Sequence, residues 1–373
     1  MADDRTIIPD QETLFGIFPE IPSIPQDSYS IISNTFDRCI FRLSLATEPK
    51  PGFPTDLLIR LEASGSHLPA VAELQRLAHL QIPGLVPATL EVGTAINKAG
   101  KKLDYSITPF LTGTTVLEHV WNSLDRTNQR SLMDSIFEAM RNLQKLPITS
   151  AVIHQVLRYD AGSTSQSNSS EGLLLGGPDA GYFNGIKELL AGLINQKAAK
   201  LGCQVVSTAD GVAVQMVLPS LLPSIAPKDV ELTQHHLENI MASIVFCHND
   251  LEPRNILVKK TGDDKVGWYE LAAIIDWELA GFFPFAYEYG LKDTFLGSSN
   301  LLFSWYSLFK ERAVALLPTG AGQGKWRERE RLRMSMDYTR GWIREDGATD
   351  VPVFTKQDNE NLELEVLKEL GYI

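Results

Sequence analysis

The sequence has few cysteines and no long apolar run. Its 373 residues contain three cysteines, Cys39, Cys203 and Cys247, and none of them has the CxxC spacing of zinc or redox sites. Three such thiols cannot all pair, which is typical of a protein in a reducing cytosol. No apolar run approaches the roughly 18 residues of a membrane-spanning helix, and the acidic first residues do not resemble a signal segment. We therefore expect a cytoplasmic protein without a membrane partner.

Basic residues are also fewer than acidic residues. Lys and Arg number 34 against 46 Asp and Glu, which gives a formal net charge of −12. Because binding to a phosphate backbone depends on clustered Lys and Arg, this balance argues against a nucleic-acid partner. Hydrophobic residues at 44% and charged residues at 21% are typical of a globular protein with a sizeable core.

The order of the predicted elements indicates two lobes. Five short segments rich in Ile, Leu and Phe predict strands, and a helix of apolar spacing at 67–80 follows the third strand. From residue 114 onward the pattern is mainly helical, and after residue 276 we expect only helices. The predicted fold is α+β, with a small five-stranded antiparallel β lobe and a larger helical lobe. The expected boundaries are an N-terminal extension at 1–27, the β-rich lobe at 28–110, the helical lobe at 111–345 and an acidic C-terminal segment at 346–373.

Polar side chains follow two apolar runs in the second half of the chain. His248, Asp250 and Asn255 lie in "VFCHNDLEPRNILV", and Asp276 lies in "LAAIIDWELAG". If the strands after Asn255 and before Asp276 form a hairpin, these two residues can offer oxygen atoms to Mg²⁺ together. Asp250 then lies one short loop away, free to orient a substrate hydroxyl. This is what phosphoryl transfer from ATP requires of a protein.

Two other interpretations remain open for these residues. His, Asp and Asn in a loop can simply satisfy backbone groups. A metallohydrolase is the second alternative, but it would need further ligands at regular spacing, and the remaining histidines show no such pattern.

The spacing H-x-D-x-x-x-x-N, followed by a later Asp, is the kinase catalytic-loop pattern. "CHNDLEPRNILV…IIDWELAGFFP" resembles the aminoglycoside phosphotransferase family, small-molecule kinases of protein-kinase-like fold, and is most similar to its fungal-type branch. The resemblance implies an ATP-dependent kinase with Mg²⁺ that phosphorylates a hydroxyl group of a small metabolite or antibiotic-like acceptor. It makes Asp250 the catalytic carboxylate, Asn255 and Asp276 the metal ligands, and His248 a support of the loop. Arg254 and Glu278 are expected to pair with each other or to brace the loop.

The resemblance also implies that the β lobe binds the nucleotide. Arg60 occupies the position of the basic residue that holds the α- and β-phosphates. The phosphate loop should lie at "ISNTFDR", which has no glycine, and the adenine hinge at "ITPFLTG", where Pro109 has no N–H to donate. The residues expected to contact the nucleotide are Ser33, Asn34, Thr35, Arg60, Phe110 or Leu111 as hinge donor, and Leu257 and Ile275 under the base.

The sequence departs from the family pattern at the glutamate that usually pairs with the basic residue, here Arg60. Ala70 stands at its position, and Glu73 lies three residues later on nearly the same helix face. This departure and the missing glycine favour an alternative function, a non-catalytic nucleotide-binding scaffold or an enzyme of other chemistry. The intact Asp250, Asn255 and Asp276 favour the kinase.

Overall fold

The computed structural model describes residues 7–148, 175–197, 214–218, 230–261, 267–292 and 302–316. Within these ranges the chain forms two lobes, as predicted. The elements of the smaller lobe are α1 (Gln11–Ile17), β1 (Tyr29–Asn34), β2 (Arg38–Ser44), β3 (Asp56–Ala63), α2 (Leu68–Gln81), β4 (Glu91–Ile96) and β5 (Lys102–Pro109).

The small lobe is one antiparallel sheet with the strand order β1-β2-β3-β5-β4. Successive residues of a strand point to opposite faces, and here one face is mainly apolar. Its central residues are Cys39, Phe41, Ile59, Leu61 and Ile107, all buried. The opposite face carries the polar residues of the same strands, and it faces the larger lobe.

The N-terminal segment is part of this lobe. Asp10 caps α1 by accepting a hydrogen bond from the Thr13 N–H at 2.8 Å. The apolar side chains of the segment complete the core on the covered face of the sheet, and they are Ile7, Leu14, Ile17, Phe18 and Ile24.

Helix α2 belongs to both lobes. It follows β3 in the chain, but its apolar face joins the core of the larger lobe rather than that of the sheet. The Gln81 side chain donates a hydrogen bond to the Asn142 carbonyl at 2.9 Å, and the Ile274 N–H donates to the Leu85 carbonyl at 2.8 Å. These contacts fix the distance between the lobes at one side of the cleft.

The larger lobe contains more strand than the sequence predicts. The helices are α3 (Leu117–Val120), α4 (Arg126–Leu143), α5 (Ile186–Lys197), α6 (Gln234–Met241), α7 (Phe285–Leu291) and α8 (Phe303–Ala313). The strands are β6 (Thr114–Val116), β7 (Leu175–Gly177), β8 (Gly181–Phe183), β9 (Val214–Leu218), β10 (Val230–Thr233), β11 (Ile244–Cys247), β12 (Ile256–Thr261), β13 (Trp268–Ile274) and β14 (Gly281–Pro284).

Strand β14 corrects the expectation that only helices follow residue 276. It pairs antiparallel with β11, with Gly281 opposite Cys247, and all of its residues are buried. A strand buried on both faces shows no alternation of polar and apolar residues, so its pattern could not be distinguished from the start of a helix.

The hairpin on which the metal prediction depends is present. β12 and β13 pair antiparallel, and Ile256 lies opposite Ile274. None of the described helices is both long and apolar enough to cross a bilayer. The predicted acidic segment at 346–373 lies outside the described residues.

Candidate active site

His248 follows β11 directly and is buried. Its Nδ1 accepts a hydrogen bond from the Asp250 N–H at 3.2 Å, so Nε2 carries the proton and donates to the Ile275 carbonyl at 3.0 Å. Burial lowers the pKa of His248 from its ordinary 6.5 to about 4. A neutral ring thus ties the loop after β11 to the segment that carries Asp276, which is a supporting contact.

Asp250 is held by its neighbours in the loop. Arg254 Nη2 lies 2.8 Å from Asp250 Oδ1 and 3.0 Å from Oδ2, and Asn255 Nδ2 lies 2.7 Å from Oδ2. Asn255 Nδ2 also donates to the Asp250 carbonyl at 2.8 Å. A carboxylate offers two acceptor positions on each oxygen. Oδ2 therefore has two donors and Oδ1 has one, which leaves Oδ1 able to accept another hydrogen bond.

Asp276 and Asn255 come from adjoining segments, because the Ile275 N–H donates to the Asn255 carbonyl at 2.9 Å. Asp276 has a φ of 64°, as Asn249 has a φ of 63°, and such left-handed backbone at residues other than glycine is concentrated at functional sites. Burial and the neighbouring Glu278 raise the pKa of Asp276, while nearby arginines act in the opposite direction.

Asp276 and Asn255 fit a Mg²⁺ ion that binds together with a phosphate-containing substrate. No group of three or more His, Cys, Asp and Glu side chains in the described part of the chain is placed to bind a metal alone. Mg²⁺ commonly takes one or two protein oxygens and completes its shell with phosphates and water. Asp276 and Asn255 supply a carboxylate and a carboxamide oxygen, and the amide nitrogen of Asn255 is already engaged by Asp250.

Arg60 reaches across the cleft from β3. Its Nη2 lies 2.8 Å from Glu278 Oε2 and its Nη1 lies 3.3 Å from Asp276 Oδ1, and Glu62 on its own strand is 2.5 Å away. Glu73 instead pairs with Arg76. The usual helix glutamate is therefore replaced as a partner of Arg60 by carboxylates from the other lobe and from β3.

One of the two alternatives for Arg254 and Glu278 is wrong. They do not pair with each other, because Arg254 binds Asp250. Glu278 binds Arg38 at 2.6 Å and Arg60 at 2.8 Å. The spacing of the motif could not show these pairings, because Arg254 binds a residue of the loop while Glu278 binds arginines of the other lobe. Arg254 does brace the loop, which was the other alternative.

Of the residues expected at the phosphate turn, Ser33 and Asn34 are the last two residues of β1, and Thr35 lies between β1 and β2. The Thr35 N–H donates to the Arg38 carbonyl at 2.8 Å, and its hydroxyl donates to Asp37 at 3.0 Å. The turn is thus closed by Thr35 itself, whose N–H is engaged. Ser33 is half-buried and Asn34 is exposed.

Phe110 and Leu111 are the two alternative donors expected at the hinge. The Phe110 N–H donates to the Asp56 carbonyl at 3.0 Å and continues the ladder between β3 and β5. The Leu111 N–H has no partner among the described residues, so Leu111 is the donor that stays available. Leu257 and Ile275 are both half-buried beside the cleft.

A buried ionic brace supports the loop from behind. Glu252, in the loop, accepts a hydrogen bond from Lys292 Nζ at 2.6 Å and another from the Tyr306 hydroxyl. Glu288 on α7 accepts a hydrogen bond from the His248 N–H at 3.2 Å. Burial raises the pKa of Glu288, and Lys292 opposes this rise. The positive charge of Lys292 therefore interacts with two carboxylates, those of Glu252 and Glu288.

This brace and the role of Arg38 were not predicted from the sequence. A lysine after the apolar "FPFAYEYGL" is the single visible signal for Lys292, because a lysine at the end of a buried helix needs a countercharge. Arg38 had no comparable signal, since its partner lies 240 residues away in the chain.

Comparison with known proteins supports a phosphotransferase. Residues 196–333 match the model of the phosphotransferase enzyme family. This range includes the loop with Asp250 and Asn255 and the Asp276 segment, so the resemblance to this family is confirmed over these residues, while the fungal-type branch stays a prediction. A comparison with curated protein sequences finds no match.

Several solved structures align with most of the chain at low similarity. Aminoglycoside phosphotransferase APH(4)-Ia has 15% identity and a TM-score of 0.46, with 87% of each chain covered. APH(3'')-Id from Streptomyces rimosus has 16% identity and a TM-score of 0.43, with 87% of this chain and 96% of that chain covered. The streptomycin–ATP complex of APH(2'')-IIa has 11% identity and a TM-score of 0.43, with 90% and 93% covered. At these values the function must be inferred from the site and the family match.

Proposed function

We propose that the chain is a kinase that transfers the γ-phosphate of ATP to a hydroxyl group of a small molecule, with Mg²⁺ as the metal. The observation that carries this proposal is the Asp250 carboxylate. Three hydrogen bonds fix its orientation, and Oδ1 keeps one free acceptor position. A positioned carboxylate beside an arriving hydroxyl is the protein group that this reaction needs.

The remaining roles follow from position. Asp276 and Asn255 would hold the metal, which when bound neutralises charge on the phosphates. Arg60 would contact the phosphates from β3, together with Ser33 and Asn34 at the end of β1 and Thr35 at the turn. Leu111 would donate to the adenine, with Leu257 and Ile275 packed under the base.

In the transfer step, Asp250 orients the acceptor hydroxyl through Oδ1. The oxygen of that hydroxyl forms a bond to the γ-phosphorus as the bond from phosphorus to the β,γ-bridging oxygen breaks. The hydroxyl proton passes late to Asp250, and ADP leaves. The acceptor is a small metabolite or an antibiotic-like molecule.

A scaffold that binds nucleotide without transfer is the second candidate, and the glycine-free turn closed by Thr35 favours it. Asp250→Asn separates the two, because it keeps the shape of the side chain and removes its charge and basicity. We expect the affinity for MgATP to stay within about threefold, a change below ~0.7 kcal/mol, since Asp250 lies outside the metal set.

Turnover on an identified acceptor should fall by about two orders of magnitude or more in Asp250→Asn. The measurement is a coupled ADP assay on purified protein, preceded by a screen of hydroxylated acceptors. Full turnover in this variant would show that Asp250 is not the catalytic carboxylate. MgATP binding by the wild type without transfer to any acceptor or to water would favour the scaffold.

A further inference from the structure

Two arginines from adjacent strands converge on a single carboxylate oxygen in the cleft. Arg38 Nη1 lies 2.6 Å and Arg60 Nη2 lies 2.8 Å from Glu278 Oε2. In the register of β2 and β3, Ile40 lies opposite Arg60 and Arg38 lies opposite Glu62. Both guanidinium groups therefore project from the same face of the sheet, toward the larger lobe.

Arg38 also lies at the base of the turn that faces the phosphates in the proposed kinase. Its carbonyl accepts a hydrogen bond from the Thr35 N–H at 2.8 Å. This turn has no glycine, so its backbone N–H groups approach a phosphate less closely than those of a glycine-rich loop. A guanidinium from the next strand can supply the missing donors.

Glu278 is a partner that an incoming phosphate can replace. Its side chain is 32% exposed, against 27% for Arg38 and 16% for Arg60. Because the Glu278 side chain is partly in contact with water, releasing it to solvent costs less than releasing a fully buried partner. A phosphate group carries more charge than a carboxylate and can accept parallel hydrogen bonds from a planar guanidinium, so it is the stronger ligand of the two arginines.

We propose that Arg38 is a second phosphate-binding side chain of the nucleotide site. Glu278 holds Arg38 and Arg60 together while the cleft is empty and gives way when the nucleotide phosphates bind. The proposal rests on the proposed function, because it takes the phosphates to be those of the nucleotide. Arg38 then supplies phosphate contacts that the backbone N–H groups of the glycine-free turn do not supply alone.

The test is calorimetric titration of the full chain with MgATP and with adenosine. In Arg38→Gln, we expect the affinity for MgATP to fall about tenfold, the loss of one charge-assisted contact, or about 1.4 kcal/mol. The affinity for adenosine should not change, and Arg38→Lys should restore part of the loss. Arg141→Gln is the matched control, since it removes the same charge from an exposed pair with Glu138 on α4.

A double-mutant cycle with Glu278→Gln identifies the partner of Arg38. If Arg38 binds phosphate, the tenfold penalty persists in the Glu278→Gln background. The proposal is overturned if the penalty disappears there, if Arg38→Gln leaves the MgATP affinity unchanged, or if it weakens MgATP and adenosine equally.

A failure of nucleotide binding, on which the proposed function depends, gives a different result. In that case the wild type binds neither MgATP nor adenosine, and inorganic tripolyphosphate with Mg²⁺ becomes the probe. Binding of this probe that depends on Arg38 would support a phosphate site on β2 without a nucleotide kinase. Absence of such binding would overturn both proposals.

Discussion

Replacing Lys292 with methionine tests whether the brace behind the loop is ionic. Lys292 Nζ lies 2.6 Å from Glu252 Oε1, and each side chain is 1% exposed. Methionine keeps the apolar length of the side chain and removes its charge. Glu252 would then keep the hydrogen bond from Tyr306 but lose its countercharge, and breaking a buried pair in this way costs about 3–5 kcal/mol.

This loss is a large part of the roughly 5–15 kcal/mol that stabilises a typical domain. We therefore expect the urea midpoint of Lys292→Met, followed by far-UV circular dichroism, to fall substantially with little change in the slope. The double variant Lys292→Met/Glu252→Gln should recover part of the loss, because Glu252 no longer carries an unpaired charge while Glu288 still lacks the charge of Lys292. Arg141→Met, which breaks an exposed pair, should cost less than about 1 kcal/mol.

The outcome that refutes this reasoning is a cost below about 1 kcal/mol for Lys292→Met. Glu252 would then be neutral or reached by water in the folded chain. A double variant less stable than Lys292→Met would also contradict it, since it would mean that the glutamate is stabilising without its lysine.

Two further predictions concern the metal and the pH. Asp276→Asn or Asn255→Ala should weaken MgATP binding much more than binding of metal-free ATP in titrations with and without EDTA, and equal losses would contradict the metal assignment. His248 has a folded pKa of about 4, below its ordinary 6.5, so the unfolded chain binds the proton first and stability is lost as the pH falls from 6.5 toward 4. Between pH 7 and pH 5 the wild type should therefore lose about 2 kcal/mol more unfolding free energy than His248→Gln, measured with urea; equal losses would show that the ring is not held neutral.

The sequence predicts what is local in this molecule. Strands β2 and β3 of the small lobe alternate strictly, with Phe41 and Ile59 on the covered face, so these two strands follow from the pattern. The spacing of Asp250 and Asn255 likewise places both in one loop, where a single side-chain contact joins them. In both cases the interacting residues are close in the chain or repeat with a fixed period.

Contacts between distant segments were not predictable in the same way. Arg38 and Glu278 meet only because the sheet of one lobe faces the segment after β13 of the other. The pairing of Lys292 with Glu252 depends on where α7 ends relative to the loop. A single sequence contains no periodic signal for such pairs, so charge and position along the chain were not enough to assign the partners.

The alanine at position 70 can now be explained by packing. Ala70 is fully buried on α2, in the apolar core that this helix shares with the larger lobe. A glutamate there would have to bury its charge among apolar side chains, which is costly. Since α2 is fixed by this packing, the partners of Arg60 are provided from the other side of the cleft by Asp276 and Glu278. The position of Arg60 therefore depends on the approach of the two lobes and not on the rotation of α2.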